Sequence, residues 1–393
     1  MNHRQTVWVA GGAALVAAVA LPLAVIALIN GDGVTAAPSA GMTMGGAMGA
    51  HMAPAPMDGV PLAGSEPGGA VLQPSMRNGV RVYRLEARPV RWQIFEGTRV
   101  TAWTYNGVVP GPELRIPYGA RVRVVVENEL PEPTTVHWHG LAVPNAADGV
   151  PGVTQEPIEP GKSYTYEFRA IPAGRDSKGG TFLYHSHVDE DRQVGLGLSG
   201  ALVIEPPTTA RYDLERTLMI SEWSLDAASG ETRPAMDMEG MLPNFFTING
   251  KSFPATETLK VDRGDRVLLR LVGAGQFTHP MHLHGTDFKV VAKDGHPLAQ
   301  PLAADVIQVA SGERYDIAFT ATEPGRWVLH CHIGHHLTND GAGPGGLMMV
   351  LEVGDVGPLP GAGSAGAGAT TTTQAPEHTM GDGEMMPGME HGG

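Results

Sequence analysis

One cysteine, Cys331, is all that 393 residues contain, so no intrachain disulfide can form and the fold must stand on its core. A basic excess is also missing. With 27 Lys and Arg against 41 Asp and Glu, the formal net charge is −14, which excludes the basic footprint of a nucleic-acid-binding surface. No segment carries a convincing 3.6-residue apolar period, so no helical domain is expected. Charged residues are few, at 17%, while Gly (53) and Pro (32) are plentiful. That composition suits short strands joined by many turns.

The chain has one long uncharged run, residues 7–29, behind Arg4. It exceeds the roughly 7–15 residues of a signal-peptide core and approaches the roughly 20 needed to span a bilayer. Small residues at Val34-Thr35-Ala36-Ala37 offer a cleavage site. Residues 1–30 are therefore expected to be a signal peptide or an N-terminal membrane anchor. Either places the folded part outside the cytoplasm, secreted or anchored to the outer face of the cytoplasmic membrane. Residues 31–77 read as a flexible Met/Gly/Pro-rich tether with Met42, Met44, Met48, His51, Met52 and Met57. Residues 356–393 read as a disordered second Met/His-rich tail with His378, Met380, Met385, Met386, Met389 and His391.

Between the tails the pattern is all-β, and it repeats. Residues 113–122 correspond to 258–267 at an offset of 145. The same offset carries His137-Trp138-His139-Gly140 onto His282-Leu283-His284-Gly285, and His185-Ser186-His187 onto His330-Cys331-His332. Three landmarks sharing one offset mark an internal duplication, with domains expected at 78–206 and 207–355 around a short linker at 206–211.

Those landmarks are histidine pairs. With 16 histidines, His-x-His is expected about 0.65 times by chance and occurs four times. On a strand such a pair points both imidazoles to one face, where two nitrogens can reach one metal or two neighbouring metals. Eight such imidazoles could bind a cluster between domains. Residues 327–332 read as a buried strand, so His330 and His332 point one way and Cys331 the other. Two different sites are then joined through adjacent backbone positions. On the Cys331 side, His279 and His336 complete a His₂Cys set, which with a weak axial ligand describes a blue-copper electron-transfer centre. Met348 is the expected axial residue, with Leu347 its rival. The first-half counterparts of His279, Cys331 and His336 are Thr134, Ser186 and Asp191, so only the second half has such a centre.

His137-Trp138-His139-Gly140, His185-Ser186-His187, His279-Pro280-Met281-His282-Leu283-His284-Gly285 and His330-Cys331-His332-Ile333-Gly334-His335-His336 together resemble the four copper motifs of multicopper oxidases, over about residues 80–353. With two domains the chain is similar to the small-laccase-like branch. The resemblance implies two tandem cupredoxin-like Greek-key sandwiches and four coppers per functional unit. It implies type 1 copper on His279, Cys331 and His336, and type 2 copper on His137 and His282. The type 3 pair would lie on His139, His185, His187, His284, His330 and His332. It also implies one-electron oxidation of a reductant (phenols, aromatic amines or Cu(I)) coupled to four-electron reduction of O2 to water. Asp148 matches an acidic position of the family and is the candidate proton relay. A homotrimer is expected, because a six-residue linker leaves sequential domains side by side, with their histidine faces meeting a neighbouring chain's; the number three comes from the resemblance.

Three other readings, nitrite reductase, copper sequestration and a zinc enzyme, are weighed by the same residues. Two-domain copper nitrite reductases share the fold but carry the blue-copper cysteine in the first domain and lack four His-x-His pairs. A copper-sequestering protein could use the Met/His tails, together with Met236, Met238 and Met241, without turnover, yet would not need Cys331 between two imidazoles. Closed zinc sites need only three or four ligands.

Overall fold

The computed structural model describes residues 55, 58–64, 68–174, 177–208, 210–226, 232–233 and 243–357. The leader or anchor expected at 7–29, the Met and His residues of both tails, and Met236, Met238 and Met241 lie outside the described residues.

Alternation of apolar and polar residues builds the strands. The first half contains β1 (Ser75–Arg77), β2 (Val80–Phe95), β3 (Thr98–Tyr105), β4 (Gly111–Pro117), β5 (Arg121–Asn128), β6 (His137–His139), β7 (Ser163–Arg169), β8 (Gly180–His185) and β9 (Ser199–Glu205). In β5, Val122, Val124 and Val126 face inward between exposed or half-buried neighbours, as a period of two requires. One sheet runs β1-β2-β5-β7 with β3 on β2, and the facing sheet runs β4-β9-β8-β6. Leu85, Val124, Ile116, Trp138 and Leu202 fill the space between them.

The second half contains β10 (Leu214–Leu225), β11 (Thr232–Arg233), β12 (Phe245–Ile248), β13 (Thr258–Val261), β14 (Arg266–Gly273), β15 (His279–Leu283), β16 (Phe288–Lys293), β17 (His296–Ala304), β18 (Val306–Val309), β19 (Arg314–Thr320), β20 (Gly325–Cys331) and β21 (Met348–Val353). Its sheets run β11-β10-β14-β19-β16-β17, with β12 on β10, and β13-β21-β20-β15-β18. The connectivity of the first half recurs. Parallel β2–β5 matches β10–β14, and parallel β4–β9 matches β13–β21. Antiparallel β8–β9 matches β20–β21, and β6–β8 matches β15–β20. The strand pairing thus repeats as well as the motifs, with His137↔His185 and His282↔His330 both keeping the offset of 145.

The tether expected at 31–77 needs correction at its C-terminal end. Residues 62–64 and 68–72 lie along the first half, bridged to it at Leu62 and Val71. Ala63 N–H donates to Arg91 O at 3.1 Å, Leu72 N–H donates to Glu113 O at 2.9 Å, and β1 pairs with β2. Single bridges of this kind need backbone groups and not an apolar period, so the sequence carries no pattern for them.

The halves lie side by side. Leu183 and Ala201 pack on Met219, Val272 and Ala274 across the boundary. Beside them Arg270 of β14 forms a 2.7 Å ion pair with Asp316 and donates to Thr181 of β8 at 3.0 Å.

Candidate metal centres

Strand β20 separates two sites. Cys331 is 0% exposed in the core of the second half, and Met281 lies opposite it on β15. On β15 itself, His279 and Met281 face inward while His282 is half-exposed, because three residues of separation reverse the face. Cys331 Sγ lies 3.4 Å from His336 Nδ1 and 3.9 Å from His279 Nδ1, and the two nitrogens are 3.0 Å apart. Three donors at such spans suit one ion about 2.0–2.3 Å from each. A soft sulfur with two imidazoles is the donor set of electron-transfer copper. Burial pushes the Cys331 thiol up to about 11 and His336 down to about 4, so both are neutral without a cation. A coordinated metal ion deprotonates such a thiol outright.

The duplicated position in the first half is a hydrogen-bonded knot. Thr134 and Ser186 hydroxyls both donate to Gln193 Oε1, at 2.8 and 2.6 Å, and Gln193 Nε2 donates to Pro133 O. Gln193, at the end of the short helix Glu190–Gln193, fills this place, two residues beyond Asp191, the counterpart by offset.

The eight paired histidines form two quartets, one per half. In the first, His137 sits opposite His185 across β6–β8, and its ring centroid is 5.7 Å from His139 and 5.4 Å from His185 and His187. In the second, His282 sits opposite His330, with centroids 4.8 Å to His284, 5.5 Å to His330 and 5.7 Å to His332. Among the described residues no ring contact joins the quartets.

Backbone carbonyls orient these rings in parallel fashion. His137 Nδ1–H donates to Asp148 O at 2.7 Å and His282 Nδ1–H to Asp305 O at 2.8 Å. His185 donates to Ser186 O and His330 to Cys331 O in the same way. A proton held on Nδ1 leaves Nε2 as the free lone pair, the state a metal needs. The Nε2 atoms of His284 and His330 then face each other at 2.9 Å, two donors converging on one point. Burial holds His185 down to about 3 and His139 to about 4, which keeps the imidazoles in their ligating neutral form.

Asp148 stands beside His137, with its carboxylate 3.5 Å from Nδ1. Gly149 follows at φ +86°, where a Cβ would fall 2.1 Å from Val136 O, so only glycine lets the Asp148 carbonyl close on the ring. Asp305 plays the matching part for His282 at 3.9 Å but comes from a different loop and is 64% exposed on its side chain. No offset pointed to it. Glu190, one of the acidic residues after His187, lies 3.1 Å from His187 Nδ1.

The axial expectation is corrected. Met348 pairs with His330 across β20–β21, so it shares the face of His330 and is turned away from Cys331 Sγ. Leu347, 0% exposed, belongs to the core that contains Cys331, and its carbonyl accepts Cys331 N–H at 3.0 Å. Sequence reasoning also missed Glu222, a carboxylate 1% exposed that accepts from His279 Nε2. Its only signal was a charge inside the apolar strand β10.

A multicopper oxidase family model matches residues 86–209, and a second matches residues 227–355. Among solved structures, the multicopper oxidase mgLAC is 37% identical with a TM-score of 0.66, over 72% of this chain and 89% of that one. The blue copper oxidase of Nitrosomonas europaea is 34% identical with a TM-score of 0.63, over 70% and 86%. Laccase-1 of Botryotinia fuckeliana is 36% identical over 58% of this chain, which spans 42% of that protein's length. The two sandwiches are cupredoxin-like, and the chain belongs to the multicopper oxidase family.

Proposed function

We propose that the protein is a laccase-like oxidase. It would couple one-electron oxidation of a reductant, phenols and aromatic amines or Cu(I), to four-electron reduction of O2 to water. The observation that carries this reading is the two-faced strand β20, where Cys331 faces His279 and His336 while His330 faces His284. His279, Cys331 and His336 would hold type 1 copper, with Leu347 in the core beside Cys331. His137 and His282 would hold type 2 copper, and His139, His185, His187, His284, His330 and His332 the type 3 pair. Copper at these positions supplies one-electron redox chemistry and the electrons that dioxygen needs. The chain contributes geometry: the Cys331 backbone is a direct covalent link between the two sites, and four carbonyls fix four rings before any ion binds.

Each quartet is half of an eight-imidazole cluster, which supports a head-to-tail homotrimer with clusters between subunits. The uncharged run at 7–29 supports an extracytoplasmic location, secreted or anchored. Thioether sulfur suits Cu(I), and the methionines of the tails and of residues 236–241 support cuprous-ion oxidation or copper tolerance as part of the role.

Copper-loaded full-length protein should show intense blue absorption, about four coppers per chain, and oxygen uptake driven by a phenol or by Cu(I). Copper bound without oxygen uptake would indicate sequestration, and turnover of nitrite in its place a nitrite reductase. If deleting residues 31–69 and 356–393 leaves Cu(I) kinetics unchanged, the tails have no part in them.

Asp148→Ala removes the carboxylate near His137 but keeps the carbonyl that holds the ring. The variant is expected to reduce dioxygen roughly 10²-fold or more slowly, as for a lost proton donor, while type 1 copper is still reduced by substrate at the normal rate. Equal slowing of both half-reactions in stopped flow would assign Asp148 a structural part instead.

A further inference from the structure

Glu222 is a buried carboxyl group that the roles above leave unused. It lies on β10 between Ser221 and Trp223, and its side chain is 1% exposed. Two donors converge on it. One is His279 Nε2–H, and the other is Gln276 N–H, which donates to Oε2 at 3.0 Å. His279 directs Nδ1 toward Cys331 and His336, so Nε2 is the nitrogen left to carry the proton. An ionised carboxylate only accepts, and here each oxygen has one donor. Gly275 closes the arrangement, since a Cβ there would fall 1.8 Å from Oε2 and the carboxylate would have to move.

We infer that Glu222 is the positioning residue of the type 1 copper, and that its hydrogen bond to His279 holds the reduction potential down. The inference rests on the proposed copper assignment. A carboxylate accepting from the far nitrogen of a ligating imidazole fixes the ring's tautomer and direction and makes its other nitrogen a stronger donor. A negative charge buried nearby also favours the more positive oxidised ion over the reduced one. Both effects act in one direction. The backbone N–H of Gln276 keeps the carboxylate from rotating away, so the bond to His279 is set by the main chain. Gln276 and Gly275 also line the cavity of about 240 Å³ that holds His137, His139, His185 and His187. The loop that pins Glu222 is therefore a wall of the first quartet.

Two substitutions test this in copper-loaded full-length protein. Glu222→Gln cannot satisfy both donors, because one of its two ends is itself an NH₂ group. Gly275→Ala keeps the carboxylate in the chain but displaces it from His279. Spectroelectrochemical titration of the blue band should give a higher potential for both variants than for wild type. Lost outer-sphere partners typically weaken metal binding roughly 10–100-fold, and each tenfold loss that is selective for the oxidised ion reads as about 59 mV upward. Glu222→Asp, which keeps the charge, should fall between wild type and Glu222→Gln. Wild-type protein without a blue band would remove the copper assignment itself. A blue wild type with unshifted Glu222→Gln and Gly275→Ala, or a shift downward in either, would overturn the inference. If Glu222→Gln fails to fold, the potential of Gly275→Ala alone decides.

Discussion

Cys331→Ser is expected to abolish the intense blue absorption and to bring oxygen consumption down to background, while the circular dichroism stays that of the β protein. The thiolate is the one soft donor at the buried site, and a hydroxyl is neither as soft nor as readily deprotonated. The same residue is the covalent link to His330 and His332, so one substitution removes the chromophore and the bridge together. The fold should survive. Ser186, its counterpart in the first half, is 0% exposed in an equivalent sandwich, where its hydroxyl is hydrogen-bonded. The hydroxyl introduced in place of the thiol would keep two neighbours now near Sγ, Ile333 N–H at 3.5 Å and His336 Nδ1 at 3.4 Å. A buried hydroxyl with partners changes stability by about 1 kcal/mol. Blue colour in this variant would sink the type 1 assignment, and loss of the β spectrum would show the thiol to be structural.

Co-expressing two inactive variants is expected to restore oxygen reduction. One variant carries His139→Ala and His185→Ala and keeps the second quartet. The other carries His284→Ala and His332→Ala and keeps the first. Neither chain alone has eight imidazoles, and in a head-to-tail ring each cluster combines the second half of one chain with the first half of the next. With equal amounts and random assembly, about a quarter of the junctions pair two intact quartets, so activity should return to about a quarter of wild type. The intact second quartet and Cys331 then lie in the same chain, as function requires. An intramolecular cluster predicts no recovery at any mixing ratio, because no chain in the mixture is whole. Light scattering on the wild-type protein supplies the mass, with three chains expected.

The two-residue period of a strand made much of the site legible beforehand. Once residues 327–332 read as a strand, Cys331 had to face away from His330, and His279 away from His282, whatever the rest of the chain did. The constant offset likewise carried the repeat, because duplicated motifs keep their spacing when the strands between them keep their lengths. Cys331, the four His-x-His pairs, His279 and His336 belong to this class. The contacts that tertiary packing alone decided lie between elements far apart in the chain. Met348 and Leu347 are adjacent and both apolar, and only the register of β21 on β20 turns one toward His330 and leaves the other in the Cys331 core. Glu222 reaches His279 across 57 residues, and Asp305, whose counterpart by offset is Pro160, reaches His282 across 23. Gln193, the last residue of its short helix, holds Thr134 across 59. Local periodicity dictates which face a side chain takes, but a single hydrogen bond between distant segments leaves no period behind it.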